Sequence, residues 1–551
     1  MQLKDYFTNL DTKYNKIFFS GISSNSSKVR KNDIFFAIKG NKVDGNKFID
    51  KAIENGARVI VSEKKIDDKK NAIFLQSTNI RKQLAETSYK ILNQRPKKLV
   101  AVTGTNGKSS VADFFYQILS LNFKNVASIG TLGVRYKGKK INIKNTTLDP
   151  IQLSSILQNL KKKKIENVIM EASSHGLQQN RLDGLLFDVG IFTNLSHDHL
   201  DYHKNMEKYL KSKLYLFNKL IKKKGNIITD NNIPQIKRIK DIARRLKIKL
   251  NLIFHKSKGI ELISHKYENE KQILEIRFKN KKYKIRLNLI GKIQLQNLLM
   301  AMISANKIGL QFNKIIKTIH KIVSVEGRFE NIGKIKNKSR VILDYAHTPE
   351  ALEVALSNLQ EQFPSSKLYL VFGCGGERDF KKRSIMGKIA EKYANMIYLT
   401  DDNPRYENPA KIRNDIKKGI KKIKFKEVSN RKEAIQQAIM SLDTGDLLLV
   451  AGKGHEKIQD YGKKKLFFSD REIILQSIKL KNKFLSKNLK INIIKEQSNS
   501  KISNKFLINN ISINSQNIKK NDVFFAIRGK KNDGNNFIKE VFKKKIKLCN
   551  C

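Results

Sequence analysis

The chain has 551 residues, 40% of them hydrophobic, which is enough for three or four domains with buried cores and excludes global disorder. Its 3 Cys exclude a disulfide framework, its first residues (MQLKDYFTNLDTKYNK) lack the apolar core of a secretory signal, and no run approaches the ~18–20 apolar residues that cross a bilayer. The formal charge of +60 comes from lysines spread along the whole chain, beside abundant Asn and Ile, which reads as compositional drift; no basic arm, zinc-finger spacing or aromatic RNA-binding strand accompanies it, so a nucleic-acid partner is not expected.

Residues 1 to about 90 carry short strand-like runs, Asp33–Ile38 and Ala57–Ser62, between helical stretches. Arg95-Pro96-Lys97-Lys98 reads as a linker before the apolar run Leu99–Val102. Strands and helices then alternate, with Asn167–Met170, Asp188–Phe192 and Asn226–Thr229 reading as buried parallel strands. Around Glu261–Leu289 polar and apolar residues alternate, which predicts an antiparallel insertion. A further α/β stretch has strands at Val341–Leu343, Leu368–Phe372, Met396–Thr400 and Asp446–Val450. The fold class is therefore α/β with doubly wound parallel sheets. One segment returns: Ile22 to Ile49 is repeated without gaps, and with most positions identical, at Ile511 to Ile538.

Leu99-Val-Ala-Val-Thr-Gly-Thr-Asn-Gly-Lys-Ser-Ser110 places a Gly-containing turn between a strand and a helix starting near Ser109. Such a turn aims backbone N–H groups and a helix N-terminus at phosphate oxygens. Lys108 would reach the β/γ-phosphates and the Ser109 hydroxyl a Mg²⁺ ion, while Gly104 and Gly107 allow close backbone approach. Val102 stands where the common phosphate-loop pattern has its first Gly. Glu171, at the end of a strand, can hold Mg²⁺ or simply charge a helix N-terminus. His197, Asp198, His199, Asp201 and His203 invite a zinc-hydrolase reading, but the H-x-H-x-D-H spacing would need His where Tyr202 stands.

TGTNGKSS at residues 103–110 resembles the nucleotide loop of the Mur ligases and of their relative folylpolyglutamate synthase. The resemblance runs from residue 20 to about 480 in family order. It takes in Asn145–Thr147, EASSHGL at Glu171–Leu177, HDHLDYH at His197–His203 and EGRFE at Glu326–Glu330. It continues through DYAHTP at Asp344–Pro349, DNPR at Asp402–Arg405 and GKGHE at Gly452–Glu456. It is nearest to the branch that adds the third residue of the stem peptide.

The resemblance implies a three-domain Mur ligase architecture with a central P-loop-type parallel sheet and a Rossmann-like C-terminal domain. Residues 1–93 would bind the UDP end of the precursor, 94–332 ATP, and 333–486 the incoming amino acid. Residues 487–551 would be a partial, poorly ordered copy of the first domain, left by a decayed fusion or a frameshift, with Cys549 and Cys551 without a role. The implied nucleotide residues are Gly104, Thr105, Asn106, Gly107, Lys108, Ser109, Ser110, Asn297, Arg328, Asp344 and His347, with Arg328 at a hinge. Mg²⁺ would be held by Ser109, Glu171, His199 and Lys213 as a carbamate, with His197 and His203 structural. By itself Lys213 is one lysine among many, and Lys211 lies close enough to compete for the role.

The precursor, UDP-N-acetylmuramoyl-L-alanyl-D-glutamate, is expected at Ser26, Thr146, Thr147, Ser173, Gln179 and Arg181. The implied amino acid is meso-diaminopimelate, at Arg378, Asp402, Asn403, Pro404, Arg405, Gly452 and Glu456; an Arg can grip a distal carboxylate that lysine lacks. The implied reaction is ATP-dependent ligation through an acyl phosphate, in a cytoplasmic monomer of peptidoglycan precursor synthesis. The alternative is an L-lysine-adding ligase or another ligase of the Mur or folylpolyglutamate type.

Overall fold

Apolar runs bounded by Gly, Asn and Pro become parallel strands whose C-terminal ends carry the motif loops. The structure, a computed structural model, describes residues 1–7, 10–40, 43–65, 72–92, 94–423 and 425–487, and of the tail 511–516, 518, 522–529, 533–543 and 548–550. The expected start of the tail (488–510), Cys551 and the side chain of Cys549 lie outside the described residues. Two compact units form, Met1–Val325 and Glu326–Cys551.

The first unit opens with a four-stranded parallel sheet in the order Ile22–Ser23, Asp33–Phe36, Ala57–Ser62, Ile73–Gln76. Its main sheet has eleven strands. Lys98–Thr103 lies centrally, flanked in parallel by Asn167–Glu171 on one side and Phe187–Phe192 on the other. The chain order reverses there, and the crevice beyond the carboxyl ends of these three strands is where α/β sheets bind ligands. The alternating stretch forms Gly259–Glu268, Lys271–Phe278 and Lys281–Leu287, antiparallel as expected. It is no separate insertion, because Gly259 and Ile260 pair in parallel with Leu252 and Ile253 and continue the same sheet.

Two helices, Lys108–Leu121 and Lys292–Lys307, share one core on the sheet, with Phe114, Phe115, Leu298 and Met302 fully buried. Burial of this kind stabilises by about 1.5–3 kcal/mol per large apolar side chain. In the second unit Glu330–Lys334 runs antiparallel to Arg340–Asp344, followed in parallel by Leu447–Ala451, Leu368–Phe372, Met396–Leu399 and Phe425–Glu427. The expected boundary at 332/333 falls inside Glu330–Lys334; that strand pairs with Arg340–Asp344 and so belongs wholly to the second unit. The boundary at residue 93 lies outside the described residues. Thr348, Asn408 and Asn430 cap helices in this unit, the first two followed by Pro at the first helical turn. In the tail, Ile511–Ser512, Val523–Phe525 and Leu548–Asn550 form a small parallel sheet over Ile518, Phe524 and Val541.

Candidate active site

Strand Lys98–Thr103 ends under a turn that hands the chain to helix Lys108–Leu121. Gly104 (φ +151°) and Gly107 (φ +85°) are required, since a Cβ would stand 1.8 Å from Thr193 Oγ1 at the first and 2.5 Å from Asn297 Oδ1 at the second. The neighbouring strand's continuation fastens the turn. The Asn194 carbonyl accepts from Thr105 N–H at 3.0 Å, and Asn194 Oδ1 accepts from Asn106 N–H at 2.9 Å. Lys108 lies back across its own turn, donating to the carbonyls of Gly104 (2.9 Å) and Thr105 (2.7 Å). Ser109 and Ser110 are buried in the first helical turn, and the helix directs its positive dipole end at the turn.

Glu171 closes strand Asn167–Glu171 and is buried. It accepts from Ser109 Oγ at 3.1 Å and from the N–H (2.8 Å) and hydroxyl (3.1 Å) of Thr131. Ser109 and Glu171, expected together from sequence, therefore meet under the phosphate turn. Thr131 was not among the expected residues; it sits in a hairpin turn without a motif of its own. Gly130 makes room, because a Cβ there would stand 2.2 Å from Glu171 Oε1.

His199 has left-handed backbone (φ +54°) at the start of the turn Leu200–His203. Its ring stands edge-on to His175 with centroids 4.9 Å apart, and its Nε2 lies 3.4 Å from Asp198 Oδ2. His203 is buried, with Nε2 2.9 Å from Ser174 Oγ. Burial, reinforced by neighbouring positive groups, pulls both His175 and His203 down to about 4.

Helix Met206–Lys219 separates the two candidate lysines: Lys211 is exposed and Lys213 fully buried. Lys213 Nζ donates to the Gly104 carbonyl at 2.7 Å and lies 4.3 Å from the Tyr209 ring centroid. Burial, then the charge of Lys108, drives its amine well below the ordinary lysine range. Among the described residues no group of three or more His, Cys, Asp or Glu could hold a metal ion. Any ion here would need a mixed set of hydroxyl, carboxylate, imidazole and modified lysine.

The precursor candidates of the central sheet form one network. Thr146 Oγ1 lies 3.1 Å from Thr131 Oγ1. Thr147 Oγ1 donates to the Glu171 carbonyl at 2.8 Å and accepts from Ser173 N–H at 2.9 Å. Arg181 donates to the Thr147 carbonyl at 2.5 Å and to Gln179 Oε1 at 2.7 Å. Ser26 belongs to the small N-terminal sheet, buried in the turn that Asn25 caps.

In the second unit the motif loops follow the parallel strands. Asp344 accepts from the N–H groups of Phe329 (2.9 Å) and Ala346 (3.1 Å), and its burial raises the carboxyl despite nearby Arg328. Arg328 stacks on Tyr345 with its guanidinium carbon 4.1 Å from the ring centroid. His347 Nδ1 lies 2.9 Å from the Tyr345 carbonyl. Gly452 donates its N–H to the Asp344 carbonyl at 3.2 Å.

Asp402 is buried, and its Oδ2 meets no donor among the described residues. Asn403 donates to Glu456 Oε2 at 2.9 Å, and Tyr345 OH lies 3.1 Å from Glu456 Oε1. Arg405, left-handed at φ +54°, donates Nη1 to the Gly376 carbonyl at 2.7 Å. A Cβ at Gly376 would stand 1.9 Å from the Pro404 carbonyl oxygen. Arg378 is exposed on the loop before helix Lys381–Tyr393. Asn403 and Glu456 are thus brought into contact. Tyr345 and Lys453, which hold them, lie inside the DYAHTP and GKGHE motifs and were not among the expected site residues.

Comparison with known proteins places these loops in context. Residues 19–97, 102–305 and 327–454 match family profiles described as Mur ligase family, catalytic domain; Mur ligase middle domain; and Mur ligase, glutamate ligase domain. A protein of Rickettsia rickettsii named UDP-N-acetylmuramoyl-L-alanyl-D-glutamate--2,6-diaminopimelate ligase is 42% identical over 84% of this chain and 96% of its own length. A protein of Chelativorans sp. with the same name is 37% identical over 84% of this chain and 95% of its own. A solved structure so titled aligns with TM-score 0.64 and 29% identity over 86% of this chain and 97% of its own. The MurF ligase of Thermotoga maritima in complex with ADP shares the fold, with TM-score 0.58 at 19% identity over 84% of this chain and 97% of its own.

Proposed function

The chain belongs to the Mur ligase family, and from that premise we infer that it is an ATP-dependent acid–amino-acid ligase joining meso-diaminopimelate to UDP-N-acetylmuramoyl-L-alanyl-D-glutamate. The observation that carries the chemistry is the meeting of the Ser109 hydroxyl with the buried Glu171 carboxylate under the phosphate turn. It acts in peptidoglycan precursor synthesis in the cytoplasm; among the described residues no helix is long and apolar enough to cross a membrane.

In the reaction, the D-glutamyl γ-carboxylate attacks the γ-phosphorus of ATP, and ADP leaves. The diaminopimelate amine then attacks the acyl phosphate carbon, and inorganic phosphate leaves from the tetrahedral intermediate. The turn Gly104–Gly107 and residues Ser109 and Ser110 cradle the phosphates, and Lys108 exchanges its loop carbonyls for phosphate oxygens and steadies the charge in transfer. Asn297, Arg328, Asp344 and His347 are assigned to the nucleotide. Ser26 is assigned to the UDP end, and Thr146, Thr147, Ser173, Gln179 and Arg181 to the muramoyl-dipeptide. Arg405 takes the distal carboxylate of diaminopimelate and Glu456 its distal ammonium, with Arg378, Asp402, Asn403, Pro404 and Gly452 around them.

A hard cation such as Mg²⁺ would be held by the oxygens of Ser109 and Glu171, which already meet, with the imidazole of His199 assigned to it as well. Lys213 would add an anionic ligand if its neutral amine took up CO₂ to give a carbamate and a proton, for which its depressed basicity suits it. When bound, Mg²⁺ neutralises phosphate charge. The deciding assay is phosphate release from ATP with UDP-N-acetylmuramoyl-L-alanyl-D-glutamate, comparing meso-diaminopimelate with L-lysine. Release with diaminopimelate is expected; release with lysine alone would overturn the assignment of the amino acid.

A further inference from the structure

Lys453 is a lysine with no exposed side-chain surface at the centre of the loops assigned to diaminopimelate. Its ammonium has three protons and meets three oxygens: Ile458 O at 2.7 Å, Asn403 Oδ1 at 2.9 Å and Glu456 Oε2 at 3.3 Å. All its hydrogen-bonding capacity is therefore spent inside the protein, and no donor remains for a substrate.

The arrangement fixes its neighbours. Asn403 Oδ1 accepts from both Lys453 Nζ and the N–H of Asp460 at 3.0 Å. A flipped amide would turn its NH₂ against two donors, so only one orientation is satisfied. In that orientation Nδ2 points at Glu456 Oε2. Glu456 is then held from two sides, by Asn403 and Lys453 on Oε2 and by Tyr345 OH on Oε1, while 31% of its side chain stays exposed. One buried cation thus ties the DNPR loop, the GKGHE loop and the hairpin Ile458–Phe467 into a single frame.

The charge count gives this frame a second property. Glu456 alone would be an anionic seat for any distal ammonium. With Lys453 against it the pair is neutral, and of the other charged residues assigned there the two arginines, Arg405 and Arg378, outnumber the one carboxylate, Asp402, which leaves the surroundings of the substrate's far end net positive. A distal centre that carries a carboxylate as well as an ammonium suits that field, whereas one that carries an ammonium alone does not. Resting on the ligase reading above, we propose that Lys453 is a positioning and specificity residue: it orients Asn403 and Glu456 and makes the site reject amino acids whose far end is a bare ammonium.

The test is steady-state kinetics of the full chain with Lys453→Met, which keeps the stem and removes the charge. Lys453→Gln serves as a second variant whose amide can still reach Asn403. The expected result is a rise of at least about tenfold in KM for meso-diaminopimelate, the scale of a lost charged hydrogen bond. KM for ATP and for the UDP-linked precursor should stay unchanged, and the kcat/KM preference for meso-diaminopimelate over L-lysine should fall by about as much. A loss of kcat alone, with KM for the amino acid and the preference intact, would overturn the proposal. So would failure of both variants to fold, which would make Lys453 a residue of stability only. If the unmodified enzyme itself shows no dependence on meso-diaminopimelate, it is the ligase reading that fails.

Discussion

Adding one methyl group at Gly130 is expected to damage catalysis through Glu171 while leaving the fold standing. A Cβ at Gly130 would stand 2.2 Å from Glu171 Oε1, 2.5 Å from Cγ and 2.6 Å from Cδ. The carboxylate must retreat by roughly 1 Å to restore van der Waals distance. That retreat strains three bonds, from Ser109 Oγ, Thr131 N–H and Thr131 Oγ1. Overpacking of this size costs about 1–3 kcal/mol of stability, and a displacement of about 1 Å in a reacting assembly costs about 10²-fold in rate. Gly130→Ala should therefore show kcat for phosphate release lowered about a hundredfold, a weakened Mg²⁺ dependence and only a modest fall in melting temperature. Because the effect passes through Glu171, adding Gly130→Ala to Glu171→Gln should cost little more than Glu171→Gln alone. A rate within about threefold of the unmodified enzyme, or losses that simply add, would refute the reasoning.

Lys213→Ala should lose most activity and regain part of it in formate or acetate, whose carboxylates can take the place of the carbamate; absence of rescue counts against that role. Acid should destabilise the protein as the pH falls from 6.5 toward 4, because His175 and His203 are held neutral in the fold at about 4 against an ordinary 6.5. Stability from these groups is full above pH 6.5, and buried His203 contributes a slope of at most about 1.4 kcal/mol per pH unit, with half-buried His175 adding less. Denaturant titrations of His203→Gln should show a flatter slope; an unchanged one would refute the assignment. A chain ending at Lys487 should keep ligase activity, whereas a cut before Leu485 would clip helix Asp470–Lys487, in which Leu485 is buried in the C-terminal core. Full activity after removal of Asp470–Lys487 would contradict that packing.

The strands were legible because burial on both faces leaves an unmistakable apolar run: Ala57–Ser62 and Leu368–Phe372 were read to the residue. The phosphate turn was legible because its glycines have no substitutes. Thr131 and Lys453 act through geometry that one-dimensional pattern does not carry. Thr131 holds Glu171 from forty positions away, and nothing in its hairpin announces that. Lys453 is hidden for the opposite reason, since a lysine in a chain of such positive charge carries no signal apart from its burial. Periodicity also cannot tell an inserted sheet from the edge of an existing one, and the two residue pairs that join Gly259–Glu268 to the main sheet decided it.

The repeated segment is in effect a replicate experiment within one chain. Ser23 Oγ donates to the Asn25 carbonyl at 2.8 Å and Ser512 Oγ to that of Asn514 at 2.9 Å. Asn46 N–H reaches Asp44 Oδ1 at 3.0 Å and Asn535 N–H reaches Asp533 Oδ1 at 2.9 Å. Gly45 and Gly534 each donate to an isoleucine carbonyl, Ile38 or Ile527, at 3.0 Å. These turns recur although the surrounding sheets differ, with Ile73–Gln76 as fourth strand in one and, among the described residues, three strands in the other. Their shape is thus written in the local Asx and Ser bonds, and transplanting the segment should carry the turns along with it.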